Sequence, residues 1–225
     1  MSENKMSKNS GCALELLSQP TEKKEHRKNA IEALFASTQK LADNAKQASC
    51  MLRATGFDAL FGIGYPKWSS DSSITNKAYA FSNALFAPPE EDRGSAKGSF
   101  RHILWQSDIT AKYGDETARK VGDCHEREAA FYPRDSFFAS LDDADRTVDQ
   151  LNNIIGRRIG NEFKYLSTKE RALKILQNAF TEGFYSVLKR GDGFYEIVKE
   201  PMDYDEYERK RQQILRLDDN GKNKE

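Results

Sequence analysis

Gly98-Ser-Phe-Arg-His-Ile-Leu-Trp-Gln-Ser-Asp-Ile-Thr-Ala-Lys-Tyr113 decides how the rest of the chain is read. It reads as a buried helix, yet it carries Arg101, His102, Gln106 and Asp108. Two further segments repeat the oddity: Asp123-Cys-His-Glu126 and Asp149-Gln-Leu-Asn-Asn-Ile-Ile-Gly-Arg157. A polar group buried without a partner costs on the order of 1–3 kcal/mol. The economical arrangement is that the three segments partner one another, which makes them a candidate site.

Working outward, the neighbouring segments also read as helices. Ile31, Leu34, Phe35, Leu41, Ala42, Ala45, Ala48 and Leu52 follow the three-and-four spacing of one helical face, from near Lys23 to a stop at Gly56. Residues 57–72 read as an irregular connection. Thr75–Phe86 reads as a shorter helix with Ala78, Phe81, Leu85 and Phe86 inward, ended by Pro88-Pro89. Glu90–Gly98 reads as a charged loop. Ser99–Tyr113 and Asp115–Phe131 form a helix pair around a Gly114 cap, with Asp115 as N-cap and Pro133 ending the second helix. Further helices are expected over Asp142–Phe163, over Thr168–Glu182 (opened by Ser167 or Thr168 and Glu170) and over Asp203–Leu217. Phe184–Lys189 and Phe194–Lys199 flank an Arg190-Gly-Asp-Gly193 turn and read as a hairpin. The rival is a helix running on to Lys189.

The expected fold is therefore mainly α, a compact multi-helix bundle with a small C-terminal β-hairpin. Its expected organisation is a flexible leader at 1–22, an N-terminal helical region at 23–95, a motif-bearing helical core at 96–200, and a charged C-terminal helix and tail at 201–225. The 225 residues carry 35 basic and 35 acidic side chains, so no net field draws nucleic acid or anionic lipid. No apolar run approaches the roughly 20 residues needed to cross a bilayer. Met1–Gln19 lacks the apolar core of a signal peptide, so the chain is expected to be cytoplasmic as synthesised and, if exported, to use a dedicated secretion system. Cys12, Cys50 and Cys124 are widely spaced and odd in number, which points to free thiols in a reducing compartment and away from a zinc finger.

The candidate site is read residue by residue. His102 sits mid-helix with Trp105 and Gln106 within one turn; alone, it reads equally well as a satisfied core histidine. Asp123 and His125, two apart, point about 200° away from each other on a helix and share a focus only where the helix ends or bulges. The inward pair is Asp123 with Glu126, or His125 with Val121; a solvated acidic face is the rival. Asp149, Asn153 and Gly156 form one stripe of the third helix, and Leu151, Ile154, Ile155 and Ile159 much of the other. Asn152 and Asn153 are poor helix formers, so their side chains are wanted for something, if only to bond neighbouring helix ends. Gly156 costs about 1 kcal/mol against alanine and implies close approach of another backbone or side chain.

His102, Asp123, His125, Glu126 and Asp149 are the candidate catalytic residues. Arg101, Asn152, Asn153 and Arg157 are candidates for binding substrate, the arginines through a phosphate or carboxylate. A His–Asp pair makes a general base, and histidines with carboxylates can hold a divalent metal, whose identity the sequence does not give. No standard short catalytic signature is present.

The blocks Phe100-Arg-His-Ile-Leu-Trp105, Asp123-Cys-His-Glu126 and Asp149-Gln-Leu-Asn-Asn-Ile-Ile-Gly-Arg157, in this order, resemble an uncharacterised bacterial domain family over about residues 96–165. Its members often form the working end of secreted or toxin-like proteins. The resemblance implies an effector: a hydrolase acting on an envelope component such as phospholipid or peptidoglycan. Its partners would be that substrate and an immunity or chaperone protein. The alternative is a non-catalytic helical interaction protein whose polar residues form a buried network. Nuclease activity is the weaker third reading, for want of basic surplus.

Overall fold

The computed structural model describes residues 21–64, 70, 72–86, 92–126, 136–191 and 193–224, and within the first helix only part of the side chains. Most of the expected leader, the Pro88-Pro89 stop, residues 127–135 with Pro133, and the Ile31, Leu34, Phe35 and Leu41 side chains lie outside the described residues. The chain divides into two units, Met1–Lys46 and Gln47–Glu225. In the first, the described part is the leading portion of helix α1 (Thr21–Thr55), where Ala42 and Ala45 are exposed.

The second unit is mainly α with a small sheet. Its helices after α1 are α2 (Phe57–Ile63), α3 (Ile74–Leu85), α4 (Ala96–Tyr113), α5 (Asp115–His125), α6 (Leu141–Glu162), α7 (Thr168–Thr181) and α8 (Tyr204–Arg216). The strands are β1 (Phe137–Phe138), β2 (Phe184–Lys189) and β3 (Tyr195–Glu200), antiparallel in the order β1-β3-β2. The hairpin prevails over the rival helix: Phe184 pairs with Glu200 and Lys189 with Tyr195. Strand β1 was not expected, since two residues are too short to show alternation; Phe137 pairs with Glu196.

Local chemistry places most boundaries. Ser73, Ser95, Ser140, Ser167 and Asp203 each cap a helix by accepting a backbone N–H, and Ser167 with Glu170 completes a capping box. The Ser95 cap starts α4 three residues earlier than expected, so Gly98 lies inside the helix and not in a loop. Gly114 (φ 90°) serves as the α5 N-cap, and Asp115 falls into the first turn, where its charge suits the helix dipole. The irregular connection expected at 57–72 contains α2, because Leu60 and Ile63, three apart, anchor a turn in the core.

α4 is the axis of this unit. Every residue from Gly98 to Thr110 except Arg101 is buried. Phe100, Ile103 and Leu104 pack with Phe81, Ile175, Leu176 and Ile214 on one side. Trp105 and Ile109 pack with Met51, Ile63 and Val121 on another. The inward stripe at the end of α1 is Cys50, Met51 and Ala54, with Leu52 40% exposed, so it is set one position away from the expected Ala48–Leu52 face. α6 lies directly on α4: a Cβ on Gly156 would come within 2.5 Å of the Ile103 carbonyl oxygen, and one on Gly160 within 2.4 Å of the Ser107 carbonyl oxygen. The close approach read from Gly156 is thus present, with a second glycine one turn on.

Cys50 and Cys124 form a disulfide, Cα to Cα 5.7 Å, where free thiols were expected. The ends of α1 and α5 meet in the cluster around Met51 and Val121. A sequence separation of 74 gives no sign of that meeting. Cys12 lies outside the described residues. Among the described residues no helix is long and apolar enough to cross a membrane.

Candidate functional site

The glycine contact of α6 with α4 sets the site. With Gly156 seated on Ile103, the same α6 stripe carries Asn153 and Asp149 up to His102. His102 Nε2 lies 3.3 Å from Asp149 Oδ2, and Nδ1 lies 3.3 Å from Asn153 Oδ1. Asn153 is fully buried and His102 only 3% exposed. The third side comes from α5. Its helix spans Asp115–His125, and Glu126 follows as its C-cap in a turn. That ending lets two successive residues reach one point, which a continuing helix forbids. Glu126 Oε1 stands 3.9 Å from His102 Nδ1, and the His125 and His102 ring centroids are 5.5 Å apart.

Neighbouring groups hold these side chains. Trp105 lies edge-on to His102 and 5.2 Å from the His125 ring, and its Nε1 donates to Thr75 Oγ1. Gln47 Nε2 lies 3.2 Å from His125 Nδ1 and donates to the His125 carbonyl at 3.1 Å. Gly122 leaves room for two amides, since a Cβ there would lie 3.0 Å from Gln106 Nε2 and 3.2 Å from Asn153 Nδ2. Both amide atoms of Gln106, Asn153 Nδ2 and Glu126 Oε1 are buried without a hydrogen-bond partner among the described residues.

Burial governs the electrostatics. It drives His102 down to about 3, with Arg101 adding to the effect, so the imidazole is neutral. The contacts of His102 with Asp149 and Glu126 are therefore those of an uncharged ring. Burial raises Glu126 to about 9, with repulsion from Asp149 and Asp145 added. Asp149 rises to about 7 for the same first reason, against the pull of Arg101. Asp145 rises to about 6 through burial and Asp149, although Gly94 N–H donates to it. Two carboxyl groups, Asp149 and Glu126, thus crowd one neutral ring, and Asp145 repels both. The nearby Arg101 is itself paired with Asp92 at 2.6 Å and lies over the Tyr79 ring.

A neutral imidazole has one N–H. Asn153 Oδ1 only accepts, so its hydrogen bond at 3.3 Å uses an N–H on Nδ1; with the N–H on Nε2 instead, toward Asp149 Oδ2, Nδ1 offers its lone pair on the side of Glu126. Such a nitrogen can take a proton or a metal ion. The nearest ligand atoms of His102, His125 and Glu126 all lie within 4.8 Å of one another. His125 is exposed and gives the group its solvent side.

The structure brings together His102, His125, Glu126, Asp149 and Asn153. It gives the other predicted residues different partners. Asp123 pairs with Arg119 at 2.9 Å. Arg157 lies 3.7 Å from Asp115. Asn152 donates to the Tyr185 carbonyl (2.9 Å) and accepts from the Tyr185 N–H (3.2 Å), pinning β2 to α6. Asp108 is buried against Arg171 and Thr168, each at 2.8 Å. Sequence reasoning missed Asp145 and Gln47. Asp145 was within reach, one turn before Asp149 on the same stripe; Gln47 carried no signal.

The fold and site define a mainly helical domain organised around a buried histidine–carboxylate cluster. The profile of a family described as "Domain of unknown function (DUF6973)" matches residues 68–184, more than half of the chain, and the chain belongs to this family. No curated protein and no solved structure matches it.

Proposed function

We propose that the chain is a hydrolase whose water-activating centre is the His102, His125, Glu126 and Asp149 group, and that it acts on a bacterial envelope component, phospholipid or peptidoglycan. One observation carries the chemistry: a neutral His102 is set between Asp149 Oδ2, 3.3 Å from Nε2, and Asn153 Oδ1, 3.3 Å from Nδ1, and beside it Glu126 Oε1 has no hydrogen-bond partner among the described residues. An oriented imidazole with an open lone pair activates water, directly or through an ion bound beside it. The envelope substrate follows from the family resemblance. The Cys50–Cys124 disulfide supports it, because such bridges persist outside a reducing cytosol.

The test is expression in a bacterium, directed either to the cytoplasm or to the periplasm, of wild type, His102→Ala and Asp149→Asn. Periplasmic wild type is expected to cause lysis or growth arrest, and both variants to lose the effect by at least about 100-fold, the scale of a missing general base. Wild type harmless in both compartments overturns the reading. The polar residues that serve packing, Asn152 on Tyr185 and Asp108 on Arg171, favour a second reading as a non-catalytic protein with a structural network. On that reading His102→Ala lowers the melting temperature and there is no activity to lose.

A further inference from the structure

We propose that His102 Nδ1, a ring nitrogen of His125 and Glu126 Oε1 form a site for one divalent cation of the zinc class. The three residues come from two helices that meet at one point, and their ligand atoms already lie within 4.8 Å of one another. Four-coordinate zinc spaces its ligand atoms about 3.4 Å apart, so side-chain rotation of about 1 Å closes the set. His102 Nδ1 and Glu126 Oε1, at 3.9 Å, are nearly there.

An independent observation points to a ligand. Glu126 is 8% exposed, and its Oε1, 3.9 Å from His102 Nδ1, has no hydrogen-bond partner among the described residues. A buried oxygen of that kind is costly unless something occupies the space before it. Asp149 and Asp145 stand near Glu126, so a cation there would meet three carboxyl groups.

The surroundings are those of a metal site. His102 Nε2 lies 3.3 Å from Asp149 Oδ2, the carboxylate–histidine arrangement that orients a ligating ring and raises its basicity. Gln47 Nε2, 3.2 Å from His125 Nδ1, braces the His125 ring. Asn153 Oδ1 lies 3.3 Å from the same Nδ1, in the buried wall of the site. Two imidazoles and one carboxylate suit zinc and its first-row neighbours; calcium and magnesium call for six or more oxygens. Three protein ligands leave one position for water, the form of a catalytic zinc site.

The inference deepens the hydrolase reading without requiring it, because binding is measured without turnover. Full-length oxidised chain, stripped with a chelator, is titrated calorimetrically with zinc chloride. The expected result is one equivalent bound at micromolar or tighter dissociation constant. His125→Ala and Glu126→Gln are each expected to weaken binding at least about tenfold, and millimolar magnesium or calcium is expected to leave it unchanged. His125 is exposed, so its variant is expected to keep the wild-type melting temperature and serves if Glu126→Gln fails to fold. No zinc binding, binding indifferent to His125→Ala, or displacement by magnesium overturns the site. Zinc bound without hydrolysis sinks the proposed activity and leaves the site standing. Hydrolysis by a chain that binds no zinc sinks the site and leaves the activity.

Discussion

At the scale of single residues, the cluster is a place where carboxyl groups are kept out of water against their preference. Asp145 shows the consequence most simply. Its carboxyl titrates near 3.8 when unperturbed and is raised to about 6 in the fold, chiefly by burial and then by Asp149. The folded chain holds the extra proton between those values. The associated stability is full below about pH 3.8 and is lost as pH rises through about 6. Asp145→Asn keeps an oxygen for the Gly94 N–H and carries no charge. In metal-free protein it is expected to raise stability at pH 7.5 by about 1–2 kcal/mol and to leave it unchanged near pH 3.5, read from urea melts at the two pH values. Much of the residue-level picture was legible. His102, Asn153 and Asp149 announced themselves as polar side chains in apolar helices. Arg157 and Asn152 carried the same signal and proved to bind Asp115 and the Tyr185 backbone. Polarity within a helix marks a need for a partner without naming the partner.

At the scale of elements, the decisive contact is that of α6 on α4. Gly156→Ala would set a methyl against the Ile103 carbonyl and Gln106 Cβ, at 2.5 and 2.8 Å, and neither backbone can yield without moving the other helix. The variant is expected to lose about 1–3 kcal/mol in denaturant melts, the usual cost of overpacking. It would also spread His102 from Asp149. The helices themselves were legible, because three-and-four spacing and Ser or Asp caps are local. The end of α5 was legible only in part. The pattern required that Asp123 and His125 diverge unless the helix stopped, and the described helix spans Asp115–His125 with Glu126 in a turn. What stayed hidden was short or non-local. β1 exists through its pairing with β3, and α2 through anchoring by Leu60 and Ile63 among residues distant in sequence.

At the scale of the molecule, the second unit is held by a covalent bond as well as by its core. The Cys50–Cys124 bridge closes a long loop, and chain entropy makes such closure worth about 2–4 kcal/mol. Cys50→Ser with Cys124→Ser is expected to lower stability by that amount, and a reductant to lower the melting temperature of wild type but not of the double variant. Cysteine counting could not foresee this, since an odd number and wide spacing describe a paired chain as well as an unpaired one. The bridge also has a topological meaning. α2, α3, α4 and nearly all of α5 lie between its two ends, so this part of the backbone is a ring with two tails. A protease that severs any one peptide bond within the ring leaves a single molecule, whose two pieces stay joined until a thiol parts them.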